Sequence, residues 1–265
     1  MLYRATHTTR YTYAGPVSHC QSEAKLSPRV LPNQDLREWK LSVSPQPAEI
    51  FLRKDYFGND VASFAVLEPH DKFTITAESL VDVAPRQPMI PTEANTLQAS
   101  EFLWESPYVP WIEGLTSYCA VTQSIESVEA LMKHIYRDFT YSPKSTSIET
   151  PLADVLRERQ GVCQDFAHIM IGALRAHKIP ARYISGYLRG DANFQGAQAS
   201  HAWVSAFFPH CGWVDFDPTN DMLPRTGHLT IAWGRDFGDV TPFKGIMVGG
   251  GDHTLEVDVR VRPVD

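Results

Sequence analysis

The stretch that decides the fold is residues 161–180, GVCQDFAHIMIGALRAHKIP. It predicts a helix that opens at Cys163, directly after Gly161, and is stopped by Pro180. At a helix start, free backbone N–H groups and the positive end of the helix dipole point at the side chain. This position and a nearby histidine lower the pKa of a thiol from about 8.5 to roughly 3.5–7.5. Cys163 is therefore the candidate nucleophile.

The alternative is that Cys163 is only a small buried side chain, which is the commonest state of a free cysteine. The other three cysteines, Cys20, Cys119 and Cys211, are scattered and lack this placement. No CxxC pair or zinc-finger spacing occurs among the four. We therefore expect four free thiols in a reducing compartment, with no metal and no cofactor.

Three histidines are candidates for the base that would activate the cysteine. His168 is nearest in sequence, but five helical positions place it about 140° around the helix from Cys163. His177 lies near the helix end and is expected to interact with the dipole there. His201 begins the segment HAWV after a loop, where a side chain can face a cleft. We expect His201 to be the base, although alone it would pass for an ordinary exposed histidine.

A carboxylate partner for His201 follows from the predicted hairpin HAWVSAFFPHCGWVDFDPTN, residues 201–220. Its turn near residues 209–212 places Asp217 close to the first residues of the opening strand. A shift of one or two residues, which a bulge supplies, sets Asp217 beside His201 as its orienting partner. Asp215 would lie deeper in the hairpin, and we expect it to face solvent.

Donors for an oxyanion are less well marked. The backbone N–H of Cys163 is the first, because it lies at the helix start. Tyr141 is a side-chain candidate for the second, and a packed aromatic ring is the equally good alternative. Trp203 and Trp213 are expected in the core, and Asp165, in the first helical turn, is expected to be structural.

Residues 1 to about 85 contain several short β-rich runs closed by Pro, Asn, Asp or Gly, with no helical pattern between them. This predicts a β-sandwich. A stretch rich in proline and polar residues, starting at Pro85, is the predicted linker, with a boundary between residues 86 and 112. The predicted class is α+β: an N-terminal β-sandwich domain over residues 1–100, then helices packed on an antiparallel sheet over 101–265, including the C-terminal strand.

The segments at 161–187 and 201–220 resemble the transglutaminase-like cysteine enzymes of the bacterial branch. YRATHTTRYTYAGPVSHCQSEAKLSPR near the start resembles the β domain of that branch, and GGGDHTLEVDVRVRP resembles its C-terminal strand. The resemblance implies a papain-like core whose Cys-His-Asp triad falls on Cys163, His201 and Asp217. It also implies attack on an amide carbonyl, a thioester, and transfer of the acyl group to water or to a lysine-type amine.

Composition limits the partners. The formal charge of −7 argues against surfaces built for nucleic acid or anionic lipid. No apolar run approaches the roughly 20 residues that span a bilayer, and the first residues lack a signal-peptide pattern. We expect a cytoplasmic protein that acts on a protein or peptide, without nucleic acid or membrane. Its oligomeric state is open, and without a carboxylate-rich loop we do not expect calcium dependence.

The leading prediction is a cysteine-dependent amide hydrolase, in particular a peptidase, because water is always available as the acceptor. A transglutaminase that cross-links glutamine to an amine is the second possibility. A catalytically silent scaffold used for binding is the third. A zinc protein is the most distant, since Cys163, His168 and His201 lack the usual ligand spacing.

Overall fold

The computed structural model of the chain describes residues 1–85, 90–143, 145–190, 194–196 and 199–264. The strands are β1 Leu2–Ala24, β2 Gln34–Ser44, β3 Ile50–Lys54, β4 Asp60–Val66, β5 His70–Val83, β6 Thr140–Tyr141, β7 Gln160–Gly161, β8 Ala181–Leu188, β9 His201–Phe208, β10 Gly212–Phe216, β11 His228–Gly234, β12 Phe243–Gly249 and β13 His253–Pro263. The helices are α1 Glu93–Ala99, α2 Leu115–Tyr118, α3 Ile125–Asp138, α4 Leu152–Glu158, α5 Cys163–Ala176 and α6 Phe237–Val240, with a 3₁₀ turn at Ser100–Leu103. Among the described residues, no helix combines the length and apolar character needed to cross a membrane.

The N-terminal region is a seven-stranded antiparallel sheet with the order β2-β5-β1-β4-β3, to which β12 and β13 add by pairing with β1. Strand β1 is 23 residues long. Its first half pairs with β5 and its second half with β4, with a register shift between Thr12 and Val17. Side chains from β1 and from both of these partner strands, among them Val17, Phe64 and Phe73, share one buried cluster. The sheet thus folds over itself, and the predicted β-sandwich is confirmed.

The last strand, β13, lies in the N-terminal sheet, whereas the sequence grouped it with the catalytic core. It pairs with β1 along eleven residues, with Ala5 opposite Val261. Valines alternate with charged residues in β13, so one face is apolar, and Val259 and Val261 are buried against the core residue Tyr187. Burying each valine contributes about 1.5–3 kcal/mol. Position in the chain therefore misassigned the strand, and the open edge of β1 decided where it packs.

The predicted linker is only partly a loop. Helix α1 lies within it and begins after Thr92, whose hydroxyl oxygen accepts the N–H of Asn95. Residues 86–89 lie outside the part of the chain that the structure describes. The division of the chain near residue 100 stays a prediction.

The second region is the predicted helix-and-sheet core. Its antiparallel sheet has the order β10-β9-β8-β11, and α5 packs on one face. Residues 165–175 of α5 are all buried, including the ionisable Asp165, His168 and Arg175. The helix ends where predicted: His177 is its C-cap, and its Nδ1 lies 2.9 Å from the Ala173 oxygen.

Two side-chain amides of the N-terminal region cover the edge strand β11. Gln34 Nε2 donates to the Thr230 oxygen, and Gln34 Oε1 accepts the Thr230 N–H, both at 2.8 Å. Asn59 makes the same pair of bonds with Trp233, both at 2.9 Å. The backbone N–H and C=O groups of an unpaired edge strand can bind a strand of another chain. Where these backbone groups are buried, they need hydrogen-bond partners. The two amides therefore take the place of a fifth strand.

A stack of alternating guanidinium groups and indole rings also joins the two regions. The guanidinium carbon of Arg29 lies 3.4 Å from the ring centre of Trp233. The guanidinium carbon of Arg182 lies 3.8 Å from the same ring centre. Arg182 also lies 4.2 Å from the ring centre of Trp213. A desolvated pair of this kind contributes about 2 kcal/mol. The interface between the N-terminal region and the core is therefore specific.

Candidate active site

The start of α5 is held by a short acidic cap. The Asp165 carboxylate accepts the Val162 N–H at 2.8 Å and the Thr146 hydroxyl at 2.7 Å. Burial raises the pKa of Asp165, and these two donors partly offset that rise. Gly161 leaves the necessary room, since a side chain there would overlap the carboxylate. The expected structural role of Asp165 agrees with this arrangement.

Cys163 is the first residue of α5 and is 9% exposed. The N–H groups of Asp165 and Phe166 bond to the Val162 oxygen at 2.9 and 3.2 Å. The N–H groups of Cys163 and Gln164 thus belong to the open first turn of the helix. An anion formed next to the sulfur would meet these N–H groups.

His201 lies at the start of β9 and is 1% exposed. Its Nε2 is 2.9 Å from Asp217 Oδ2. Burial disfavours the charged ring, but Asp217 and the Cys163 thiol outweigh that penalty and raise the pKa of His201 above 6.5. Nε2 is engaged by Asp217, whereas Nδ1 is buried and has no hydrogen-bond partner among the described residues, so Nδ1 is the nitrogen available to the Cys163 thiol. The neutral ring therefore carries its proton on Nε2 and offers a lone pair to the cysteine.

Asp217 is fully buried yet surrounded by donors. Its Oδ1 accepts the N–H groups of Thr219 and Asn220 at 3.0 and 3.3 Å. Its Oδ2 accepts, besides His201, the Asn220 side chain at 2.9 Å and His228 Nε2 at 3.0 Å. Burial alone would raise the pKa of Asp217, but His201 and His228 hold it well below its ordinary value. The carboxylate stays ionised and keeps the His201 ring in one orientation.

Sequence reasoning missed two of these residues. Asn220 follows Asp217 by three positions, and an Asp–Asn pair at that spacing in a turn was a usable signal. His228 had no such signal, because it lies on β11 and meets Asp217 only through the packing of the sheet.

Tyr141 lies beside the cysteine and histidine. Strand β6 pairs with β7 so that Tyr141 is opposite Gly161, two residues before the cysteine. Its hydroxyl lies 3.6 Å, and His201 Nδ1 3.1 Å, from the point where a Cβ on Gly196 would be. Burial, and then Cys163, raise the pKa of Tyr141 to about 12. The hydroxyl thus keeps its proton at neutral pH and can act as a donor.

The other histidine of the helix is excluded from the site, as expected. His168 is stacked on Tyr108, with 5.9 Å between ring centres, and its Nε2 accepts the Phe237 N–H at 3.2 Å. Burial, helped by Arg175, lowers the pKa of His168 to about 3. The ring is therefore a neutral, structural acceptor.

The expectation for Asp215 was wrong. The residue is opposite Ser205, as the hairpin predicted, but it is only 9% exposed and accepts Trp203 Nε1 at 3.4 Å. The fully buried Trp203, on the neighbouring strand β9, takes the place of the solvent that Asp215 was expected to face.

One group of described residues has the donor types of a metal site: His201, Asp217 and His228, whose nearest ligand atoms lie within 4.8 Å of one another. The Nε2–Oδ2 distances of 2.9 and 3.0 Å are those of hydrogen bonds, which already explain the cluster. Cys163, His168 and His201 do not form such a group within the described ranges.

Two family models match the chain. Residues 3–82 match the bacterial transglutaminase-like N-terminal region, and residues 114–218 match the transglutaminase-like superfamily. An uncharacterized protein of Mycobacterium tuberculosis H37Rv is 34% identical over 292 residues, covering 99% of this chain and 93% of its own. A protein-glutamine gamma-glutamyltransferase of Pseudomonas aeruginosa is 32% identical over 110 residues, covering 37% of this chain and 16% of its own.

Among solved structures, a candidate cysteine protease from Cytophaga hutchinsonii aligns with a TM-score of 0.79. The alignment covers 100% of this chain and 92% of that one, at 24% sequence identity. The likeness is one of fold.

Proposed function

The chain belongs to the transglutaminase-like superfamily, and from that premise we propose that it is a cysteine-dependent hydrolase of peptide or amide bonds. Cys163 is the nucleophile, His201 the general base and then acid, and Asp217 the orienting carboxylate. The observation that carries the proposal is the pairing of His201 Nε2 with buried Asp217, which leaves Nδ1 for the cysteine.

The chemistry follows from that tautomer. In the resting pair the thiol proton lies on His201 Nδ1, and the thiolate sulfur forms a bond to the amide carbonyl carbon as the C=O electron pair moves onto the oxygen. The C–N bond then breaks, and the departing amine or ammonia takes the proton from His201. A water molecule next loses a proton to Nδ1 and attacks the thioester, which releases the acid and restores the thiol. Asp217 stabilises the imidazolium at each stage without taking a proton itself.

The negative charge on the attacked oxygen needs donors that are already in place. The backbone N–H of Cys163, at the open end of α5, is the first donor in this proposal. The Tyr141 hydroxyl is the second, because burial keeps it protonated beside the cysteine. Removing one donor of this kind from an enzyme typically lowers kcat by about 10²–10³.

Transfer of the acyl group to an amine is the second candidate. The observation in its favour is the 32% identity to a protein-glutamine gamma-glutamyltransferase, over 110 residues. The same thioester serves both outcomes, and only the acceptor differs.

A single assay separates the two. Glutamine-containing peptides are incubated with the protein, with and without an alkyl diamine, and the products are measured by mass spectrometry. Peptide fragments or the free acid indicate hydrolysis, and a diamine adduct indicates transfer. Cys163→Ala should abolish either product, and Cys211→Ala is the matched control. If no product forms and Cys163 resists alkylation, a binding scaffold is the better reading.

A further inference from the structure

We propose that His228 is a positioning residue for the Asp217–His201 pair, and that through strand β11 it makes the site depend on the N-terminal β domain. The inference rests on the proposed function, because it assigns the support of the same catalytic histidine. His228 is not expected to touch the substrate. It acts through Asp217.

His228 contacts Asp217 directly. His228 Nε2 lies 3.0 Å from Asp217 Oδ2, the same oxygen that binds His201 Nε2 at 2.9 Å. The other oxygen is held by the backbone N–H groups of Thr219 and Asn220. A carboxylate bonded at both oxygens cannot rotate without losing partners. His228 thus helps to fix the direction in which Asp217 accepts the hydrogen bond from His201 Nε2.

The His228 ring is held by packing against Trp203. Trp203 meets it edge-on, with 5.1 Å between ring centres and an angle of 84°. The same indole lies nearly parallel to His201, at 6.2 Å and 26°. Trp203 fits because Gly186 has no side chain, and a Cβ there would overlap the indole. One buried indole therefore holds both imidazoles around Asp217.

Strand β11, which carries His228, is bonded to the N-terminal domain. Thr230, two residues after His228 on β11, has both backbone groups bonded to the Gln34 side chain at 2.8 Å. Its oxygen also accepts the Arg29 N–H at 3.0 Å. Gln34, Thr230 and His228 are 2%, 5% and 6% exposed, so these bonds are shielded from water. The start of β11 is thus held in place from the N-terminal domain.

These contacts form one continuous connection. Gln34 is hydrogen-bonded to Thr230, and Thr230 lies on the same strand as His228. His228 in turn is hydrogen-bonded to Asp217, which binds His201. The connection implies that the N-terminal domain is part of the machinery that orients the base. A domain that only presented or excluded substrate would not need it.

The test compares His228→Leu, which removes the donor, with His228→Gln, whose amide nitrogen can reach the position of Nε2. His210→Gln, in the exposed turn between β9 and β10, is the matched control. The readouts are kcat and KM on the substrate found by the peptide assay, the rate of Cys163 alkylation by iodoacetamide from pH 5 to 9, and the melting temperature. All rates are measured on the full chain, well below that temperature.

We expect His228→Leu to lower kcat by about 10- to 100-fold, as loss of an orienting hydrogen bond commonly does, with little change in KM. Alkylation of Cys163 should slow most below pH 7, and His228→Gln should restore most of both rates. Gln34→Leu should change the same two readouts in the same direction as His228→Leu, to a smaller extent.

The proposal is overturned if His228→Leu keeps the wild-type kcat and alkylation profile. It is also overturned if His228→Gln is as impaired as His228→Leu at equal melting temperature. Should His228→Leu fail to fold, the Gln variants of His228 and His210, together with Gln34→Leu, still decide the matter. Alkylation needs no substrate. A protein that shows no turnover but responds to His228→Leu would therefore refute the function and keep this inference.

Discussion

Asp217 takes five N–H donors on two oxygens while fully buried, and this determines what an asparagine would do there. In Asp217→Asn one acceptor becomes an NH₂ group that faces other donors, and His201 loses the charge that favours its imidazolium. We expect kcat/KM to fall by about 10⁴-fold, as for the same change in other triads. Steady-state kinetics on the substrate of the peptide assay measure it. A loss below 10-fold would mean that Asp217 does not orient the base.

The charged state of His201 predicts the pH dependence of cysteine reactivity. The pKa of His201 lies above 6.5 and that of Asp217 well below 3.8, so both are charged between those values. The imidazolium attracts a thiolate beside it throughout this window, and the attraction fades only as pH rises through the folded pKa of His201. We expect iodoacetamide to alkylate Cys163 much faster than Cys119 at pH 6. Mass spectrometry of the labelled peptides measures the two rates. His201→Ala should remove that lead, and a lead that survives would exclude the pair.

Gly161 is predicted to be intolerant of even a methyl group. In Gly161→Ala the new Cβ would overlap the Asp165 carboxylate, which caps α5 by accepting the Val162 N–H. We expect a loss of about 1–3 kcal/mol in the free energy of unfolding, from overpacking and a weakened cap. Urea denaturation measures it. Gly15→Ala is the control, since the nearest atom to its Cβ is 4.0 Å away, and equal losses in the two variants would contradict the role of Gly161.

At the scale of elements, the two side-chain amides on β11 give the sharpest prediction. Asn59→Ala leaves both the N–H and the oxygen of Trp233 without the partner that Asn59 supplies. Each of these two part-buried backbone groups costs about 1–3 kcal/mol when its partner is lost, so we expect a loss of about 2–6 kcal/mol in the free energy of unfolding.

Urea denaturation again provides the measurement. Asn33→Ala is the matched control, because its side chain makes one exposed bond of 3.3 Å to the Ala84 oxygen. A loss for Asn59→Ala no larger than for Asn33→Ala would show that water replaces the amide and that the edge is not sealed.

How far the sequence predicts these elements depends on how local their causes are. The start of α5 and the hairpin from His201 follow from neighbouring residues, so Cys163, His201 and Asp217 could be named from spacing alone. Strand β11 is different: its edge is completed by Gln34 and Asn59, about 170 to 200 positions earlier in the chain. Nothing in the local pattern of HLTIAWG reveals those partners, and for the same reason His228 was missed.

At the scale of the whole molecule, two buried histidines should lower the free energy of unfolding in acid. Burial lowers the pKa of His7 to about 4 and that of His168 to about 3. In the unfolded chain both titrate near 6.5, so between about 4 and 6.5 the unfolded state binds more protons and stability falls as pH falls. At pH 5 each histidine should reduce the free energy of unfolding by about 2 kcal/mol relative to neutral pH.

Urea denaturation at pH 7 and pH 5 tests this. His7 Nδ1 lies 3.0 Å from the Tyr187 hydroxyl, so this buried histidine also lies at the interface between the two regions. In His7→Gln and His168→Gln the difference between the two pH values should shrink. His210→Gln, on an exposed turn, is the control. An undiminished difference in the two buried variants would assign the acid sensitivity to other groups.

The pairing of β1 with β13 sets an order on biosynthesis. The two outer ends of the described chain meet, with the Val264 N–H 2.9 Å from the Leu2 oxygen. A ribosome delivers β1 first, yet one side of this strand has no partner until residues 243–263 have emerged. The N-terminal sheet therefore closes only after Cys163, His201 and Asp217 have all been synthesised. Until then, the open edge of β1 is exposed to pairing with strands of other chains.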